Sequence, residues 1–158
     1  MLTVANLTAL TKREVIQTSG HYRLASVQVT DETGWIRTTA IVYGGHTPAT
    51  STIWLKSEDV ESKCRVACSC KYFAMHLETV LVMHGSATVN KANGMIPKQR
   101  NKKMIPGLCP HLFKLMSVML LQWKDKDTKK KQTQDEDKEE DEDTPDPRHV
   151  NSRLKSMQ

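Results

Sequence analysis

Cys68-Ser69-Cys70 and Cys109-Pro110-His111 are the two stretches of sequence that decide how this chain folds. Side chains alternate across an extended strand, so Cys68 and Cys70 point to one side and can bind the same ion. Pro110 suits the first position of a helix, because its fixed φ fits there and it has no N–H to leave unpaired. His111 would then lie in the first turn of that helix, near Cys109. The two pairs predict one metal site that joins a strand to a helix.

The types of ligand predict a structural zinc site. Three thiolates and one imidazole complete a tetrahedron around Zn²⁺, and no coordination position stays open for a substrate water. The predicted ligands are Cys68, Cys70, Cys109 and His111. Cys64 shares their strand face; we expect it to pack in the core, although it could replace one of the ligands.

Other interpretations of these residues stay open. Cys68 and Cys70 are awkward disulfide partners, and no export signal points to an oxidising compartment. The cysteines could instead be free, buried thiols. A catalytic pair of Cys109 and His111 would need a positioned base and an oxyanion site, which the neighbouring sequence does not suggest. His76 and His84 could also bind metal, but a histidine at a helix end usually complements the helix dipole.

The CxC and CxH pairs resemble the SWIM-type zinc-binding domain, in which a variable spacer separates the two pairs. The SWIM-like motif covers residues 64–121. The sequences Cys68-Ser-Cys-Lys-Tyr-Phe73 and Pro106-Gly-Leu-Cys-Pro-His-Leu112 are similar to those in small proteins of tailed bacteriophages. This chain departs from most SWIM domains in its spacer, because 38 residues separate Cys70 from Cys109. We therefore expect the insert to form structure of its own.

The periodicity of the sequence predicts an α+β fold. Two-residue alternation from His21, a turn at 31–34 and a β-branched run to Tyr43 predict a hairpin. Further strands at 52–56 and 64–70 would complete a small antiparallel sheet, and apolar residues at helical spacing predict two main helices, at 71–84 and 112–123. One structural zinc would stabilise this domain. The predicted parts are an N-terminal arm at 1–20, the zinc-stabilised domain at 21–123 and a disordered, charged C-terminal tail at 124–158.

Length and charge limit the classes of function. A chain of 158 residues is long enough for one domain with its own core. It has no apolar run able to span a bilayer and no export signal, so we expect no membrane contact and synthesis in the cytoplasm. Half of the 18 acidic residues, but only 4 of the 23 basic ones, follow Gln134. A basic body of this kind often meets nucleic acid or an acidic protein surface.

The basic insert is the predicted contact surface. Lys98, Arg100, Lys102 and Lys103 have no acidic neighbour, and the zinc site would fix the end of their loop. We expect a non-enzymatic assembly module that contacts other proteins and takes no small-molecule substrate. The resemblance implies a phage protein, made in the cytoplasm of a bacterial host and incorporated in the virion if it is a particle component.

Nucleic-acid binding is the alternative function. The basic body favours it, but aromatic residues are few, and there is no recognisable groove-reading helix or base-stacking platform with interleaved basic residues. An inhibitor or DNA mimic that acts through the acidic tail is a further option. No catalytic constellation favours an enzyme.

Overall fold

A four-stranded antiparallel sheet lies at the centre of the computed structural model, which describes residues 1–88 and 101–139. The strands pair in chain order: β1 (Arg23–Glu32), β2 (Trp35–Tyr43), β3 (Ala49–Leu55) and β4 (Cys64–Cys68). Thr33 and Gly34 join β1 to β2 with positive φ angles of 41° and 78°. Such a two-residue turn matches the twist of paired strands. The predicted hairpin and antiparallel sheet are therefore confirmed.

Five helices accompany the sheet in the described ranges. They are α1 (Val4–Leu10), α2 (Arg13–Ser19), α3 (Lys71–His76), α4 (Glu78–Met83) and α5 (Pro110–Glu139). The structure thus has the predicted α+β class. None of these helices combines the length and the apolar character that crossing a bilayer requires.

The single helix predicted for 71–84 is broken in two. Leu77 separates α3 from α4, with φ −121° and ψ −36°. At the break the side-chain amide of Asn101 donates to the carbonyl oxygen of His76 at 2.9 Å. This donor comes from outside the helix, so the local sequence gave no sign of it. Gly85 ends α4 with φ +68°, as its position predicts.

The N-terminal residues belong to the same compact unit as the sheet, which spans Met1–Trp123. Thr3 caps α1 in a reciprocal pair of hydrogen bonds with Asn6. Leu7 of that helix is fully buried. The backbone N–H of Cys64 donates to the carbonyl oxygen of Leu2 at 3.0 Å, so the N-terminus covers the outer edge of β4. The stretch 1–20, which the sequence predicts as an arm, thus lies in this unit and contributes Val4 and Leu7 to its core.

One face of the sheet is buried against the helices. The strands contribute Ala40, Val42, Ile53, Leu55 and Val66, and the helices contribute Leu7, Phe73, Leu81, Leu112, Leu115, Met116, Met119 and Trp123. The last five are the apolar stripe that the sequence predicts as core. Burial of large aliphatic and aromatic side chains stabilises a fold by about 1.5–3 kcal/mol each, so this layer is a major source of the folding energy.

The last helix is longer than predicted. The sequence ends it at Trp123, whereas α5 continues to Glu139. Residues 124–139 contain no Gly or Pro, and ten of the sixteen are Lys, Gln or Glu, which have good helix propensity and outnumber the six Asp and Thr. The charge of the segment, which predicts disorder, does not itself prevent a helix. The rest of the predicted tail lies outside the described residues.

Deleting residues 124–158 should leave the thermal stability almost unchanged, because Trp123 is the last buried side chain among those whose burial the structure describes. We expect a shift in Tm of less than about 2 °C by circular dichroism. Trp123→Ala is the control: it removes a core side chain and should cost about 3–5 kcal/mol. A large fall in Tm on deletion would show that the tail packs on the folded unit.

Candidate metal centre

The structure brings the four predicted ligands together. One ligand atom from each of Cys68, Cys70, Cys109 and His111 lies within 4.8 Å of the others. In a tetrahedral zinc site with Zn–S bonds of about 2.3 Å, ligand atoms lie about 3.8 Å apart. The cluster therefore needs to contract by about 1 Å at most to hold the ion. Cys68, Cys109 and His111 are buried and Cys70 is half-buried, so the cluster is closed to bulk water on most sides.

The end of β4 positions the first ligand pair. Cys68 is the last residue of β4, and its Sγ lies 3.4 Å from Oγ of the paired Ser51. The sequence predicts that the strand runs through Cys70, but it ends at Cys68. Cys70 is instead the N-cap of α3, where its Sγ accepts a hydrogen bond from the backbone N–H of Phe73 at 3.3 Å. The Sγ of Cys70 thus pairs with one of the free N–H groups at the start of α3.

The start of α5 positions the second pair. Pro110 is the first residue of α5, as predicted, and the backbone N–H of Phe113 donates to the carbonyl oxygen of Cys109 at 2.9 Å. This first turn places the His111 ring beside the cysteines. A Cys109 side chain with no exposed surface makes this helix start the most deeply buried part of the site.

The two ring nitrogens of His111 have different surroundings. Nε2 lies 3.3 Å from the carbonyl oxygen of Gly44. Nδ1 is buried and has no hydrogen-bond partner among the described residues. Buried polar atoms are rarely left unpaired, and histidine ligands of metals commonly donate their other N–H to a carbonyl. The geometry therefore fits a metal at Nδ1 and a proton on Nε2 that is donated to Gly44.

Tyr22 and Gly44 form the wall behind His111. The ring centroids of Tyr22 and His111 lie 4.8 Å apart. A Cβ at position 44 would lie only 2.2 Å from the Tyr22 ring, so no larger residue fits there without movement. Sequence reasoning missed both roles, since the pair Gly44-Gly45 indicates only the end of a strand.

Neighbouring groups of the cluster have pKa values that are shifted in opposite directions. Hydrogen bonds from Cys109 and Cys70 hold the pKa of Cys68 far below its usual range, whereas burial raises the pKa of Cys109. Burial opposes the charge of His111, but the nearby sulfur atoms of Cys68 and Cys70 outweigh it and raise its pKa to about 10. Both shifts favour a negative charge on Cys68 and a positive charge on His111. A metal ion would replace these shared protons, and so its binding releases protons.

Cys64 lies apart from this cluster. It is fully buried at the other end of β4, where its Sγ donates to the carbonyl oxygen of Leu2 at 3.6 Å. Burial raises the pKa of its thiol to about 12. It therefore packs in the core as a neutral thiol, as the sequence predicts. His76 stacks on Tyr72 with ring centroids 4.4 Å apart, and His84 is exposed; neither is part of the cluster.

Two of the four predicted contact residues are described. Lys102 and Lys103 are exposed in the turn before the second ligand pair, while Lys98 and Arg100 lie outside the described residues. Asn101 is bonded to both the backbone N–H and the carbonyl oxygen of Ile105. The N–H of Leu108 donates to Oγ1 of Thr11 at 3.0 Å. The Leu108 bond, together with the bond from Asn101 to the carbonyl oxygen of His76, holds the turn against the folded unit on both sides of the lysines.

No protein-family model, curated protein or solved structure matches this chain. The fold and the site therefore define the class by themselves: an α+β protein with a Cys3His cluster that is compatible with a zinc site.

Chelation and replacement of Cys109 should both remove the metal and the fold. We expect one zinc per chain by elemental analysis, a contribution to folding on the order of 10 kcal/mol, and melting of the domain in excess chelator. Cys109→Ser should lose the zinc. Cys64→Ala is the matched control at an equally buried cysteine: it should keep one zinc per chain and lose roughly 1 kcal/mol of packing. Zinc-free protein as purified, or zinc loss in the control, would contradict the assignment of ligands.

Gly44→Ala should weaken zinc binding without touching a ligand. The added Cβ collides with Tyr22 and so displaces the carbonyl acceptor of His111. Loss of such a partner of a histidine ligand lowers metal affinity roughly 10- to 100-fold, which competition with a chromophoric chelator measures. Adding Tyr22→Ala removes the collision and should restore part of the affinity. Unchanged affinity in Gly44→Ala would assign the ligand role to the other ring nitrogen.

Proposed function

We propose that this chain is a non-enzymatic, zinc-stabilised module that assembles with other proteins, in the setting of a phage virion or its assembly. The observation that carries the proposal is the closed Cys3His cluster between β4 and α5. It supplies four protein ligands, which is the number that a structural zinc requires.

The choice of zinc follows from the chemistry of the donors. Thiolate ligands favour soft or borderline ions, and a tetrahedral set of sulfur and imidazole ligands is typical of zinc. A hard ion such as Mg²⁺ or Ca²⁺ prefers oxygen ligands, which the cluster does not supply. The unpaired Nδ1 of His111 and the low pKa of Cys68 both favour a positive charge at the centre of the cluster.

The same closure argues against catalysis at the metal. A catalytic zinc usually has three protein ligands and keeps a position for water or substrate. Here a fourth ligand would fill that position, and three of the four side chains are buried. The metal would therefore act by holding β4 and α5 together, and binding of a partner would be the function of the surface.

The turn before Cys109 is the surface that we propose for the protein contact. Asn101 and Leu108 fix its two ends, so Lys102 and Lys103 are presented with little loss of backbone entropy on binding. In sequence, Lys98 and Arg100 extend the same basic run. An acidic patch on another protein would complement it. The phage setting is supported by the resemblance of the CxC and CxH segments to small proteins of tailed phages.

A charge-neutralising variant tests this surface. Lys98, Arg100, Lys102 and Lys103 are all changed to Gln, and association with assembled phage particles is followed by co-sedimentation. We expect the variant to lose co-sedimentation while its zinc content and Tm stay unchanged. The matched control changes three other lysines and one arginine, all exposed, to Gln: Lys12, Arg13, Lys63 and Lys71.

The same variant also distinguishes a protein contact from nucleic-acid binding at the basic turn. If the basic turn binds nucleic acid, affinity for duplex should fall steeply with salt, and the quadruple variant should flatten the slope by about 0.9 for each lost phosphate contact. Equal loss of co-sedimentation in the variant and its control would indicate a general charge effect and reject the turn as the contact surface.

A further inference from the structure

The sheet face opposite the core carries tryptophans and basic residues in one row. Arg37 of β2 pairs directly with Trp54 of β3, and Trp54 pairs directly with Arg65 of β4. Directly paired residues in antiparallel strands point to the same face. In β4 the flanking Cys64 and Val66 are buried, so Arg65 and its row lie on the outer face. The three residues of the row come from three strands, so no continuous stretch of sequence contains them.

Cations lie over the indole rings of this row. The Nζ of Lys56 lies 4.1 Å from the centre of the Trp35 ring, and the guanidinium of Arg65 lies 5.2 Å from it. The guanidinium of Arg37 lies 5.7 Å from the centre of the Trp54 ring. Glu32 accepts a hydrogen bond from Arg37 at 2.7 Å, so one carboxylate offsets the charge of only one of these three cations. The face therefore keeps a positive charge beside two partly exposed aromatic rings.

A cavity of about 330 Å³ opens between the tryptophans. It is lined by Glu32, Thr33, Trp35, Trp54, Arg65 and Thr88. This volume is within the range of ligand pockets. The polar residues of its rim and the indoles of its wall suit a planar group that carries hydrogen-bonding edges, which is the character of a nucleobase.

We propose that this outer face is a binding site for single-stranded nucleic acid. A base enters the cavity and stacks on Trp35 or Trp54, or on the guanidinium plane of Arg65, while Lys56 and Arg65 bind the flanking phosphates. Stacking of bases on aromatic and arginine side chains beside a positive surface is how single strands are bound without sequence preference. Duplex does not suit the site, because its bases are already stacked. An acidic peptide would satisfy the cations but leave the planar cavity without a matching group.

This site is separate from the basic turn and from the Cys3His cluster. Cys68 and its partner Ser51 lie at the other end of β3 and β4 from the row, and the ligand side chains lie on the core side of the sheet. The proposal therefore does not rest on the protein contact proposed above. The two can be tested in one chain with variants that share no residue.

The test is a titration of the zinc-loaded full chain with an oligothymidylate of about six nucleotides, within the site size of such surfaces. Tryptophan fluorescence reports stacking directly, since Trp35 and Trp54 flank the cavity and Trp123 is buried in the core. We expect quenching, and weaker binding by duplex of the same length. Trp54→Leu should weaken binding about tenfold or more, and Trp54→Phe should restore most of it.

Salt dependence tests the phosphate contacts. Arg65→Gln changes an exposed side chain, so the fold should be unaffected. It should lower the slope of log Kd against log salt by about 0.7, the value for one phosphate contact on a single strand. Arg23→Gln is the matched control: Arg23 pairs with Tyr43 at the far end of the same face, and binding should not change.

Three results would overturn the proposal. The first is the absence of quenching and of measurable binding by the zinc-loaded chain. The second is equal weakening in Arg65→Gln and Arg23→Gln, which indicates general charge attraction. The third is tight binding of an acidic peptide to this face, lost in Trp54→Leu, with no affinity for oligothymidylate; that result assigns the face to a protein partner.

Discussion

The close approach of Cys68 and Cys109 is the constraint on which the structure depends. It joins the end of β4 to the start of α5 across a long stretch of chain whose ordering costs entropy. Three thiolates gathered in one buried place repel one another unless protons or a metal ion neutralise their charge. A zinc ion would supply that neutralisation and would also set where α5 begins. Because Pro110 starts the helix there, the apolar stripe from Leu112 to Trp123 falls on the core side of the sheet.

The hairpin also contacts this site, through the residues that pack against the His111 ring. Gly44 follows β2 directly, and its carbonyl meets Nε2 of His111, while Tyr22 precedes β1 and packs on the imidazole ring. The open end of the hairpin thus closes over the site that β4 and α5 form. Since Gly44 lies so near Tyr22, the mutual contacts of Gly44, Tyr22 and His111 tolerate little movement. The hairpin, β4 and α5 meet at the Cys3His cluster, although only β4, α5 and the residues next to them provide its side chains.

The parts of the structure that sequence could predict are those with a local signal. The ligand set follows from two short spacings, and the hairpin and the α5 stripe follow from periods of two and of three to four residues. The break at Leu77 could not be predicted, because its donor is Asn101, 25 residues from the carbonyl that it bonds. The packing of Tyr22 against Gly44, and the role of Cys70 as a helix cap, likewise depend on tertiary contacts. The length of α5 was missed for another reason: its charge outweighed its helix propensity in the prediction.

The row of Arg37, Trp54 and Arg65 shows why a sequence with few aromatic residues can still present a stacking surface. Each of these residues looks isolated in its own strand, and only the register of three strands places them side by side. The alternation of β4 gives this strand two roles at once: Cys64, Val66 and Cys68 face the core and the metal cluster, while Arg65 faces outward. Removing the metal would release the end of β4 that Cys68 fixes. Arg65 of the outer row would then lose its order together with the inner face of β4, because both belong to the same five residues of backbone. A metal in the cluster would thus stabilise a surface that it does not touch.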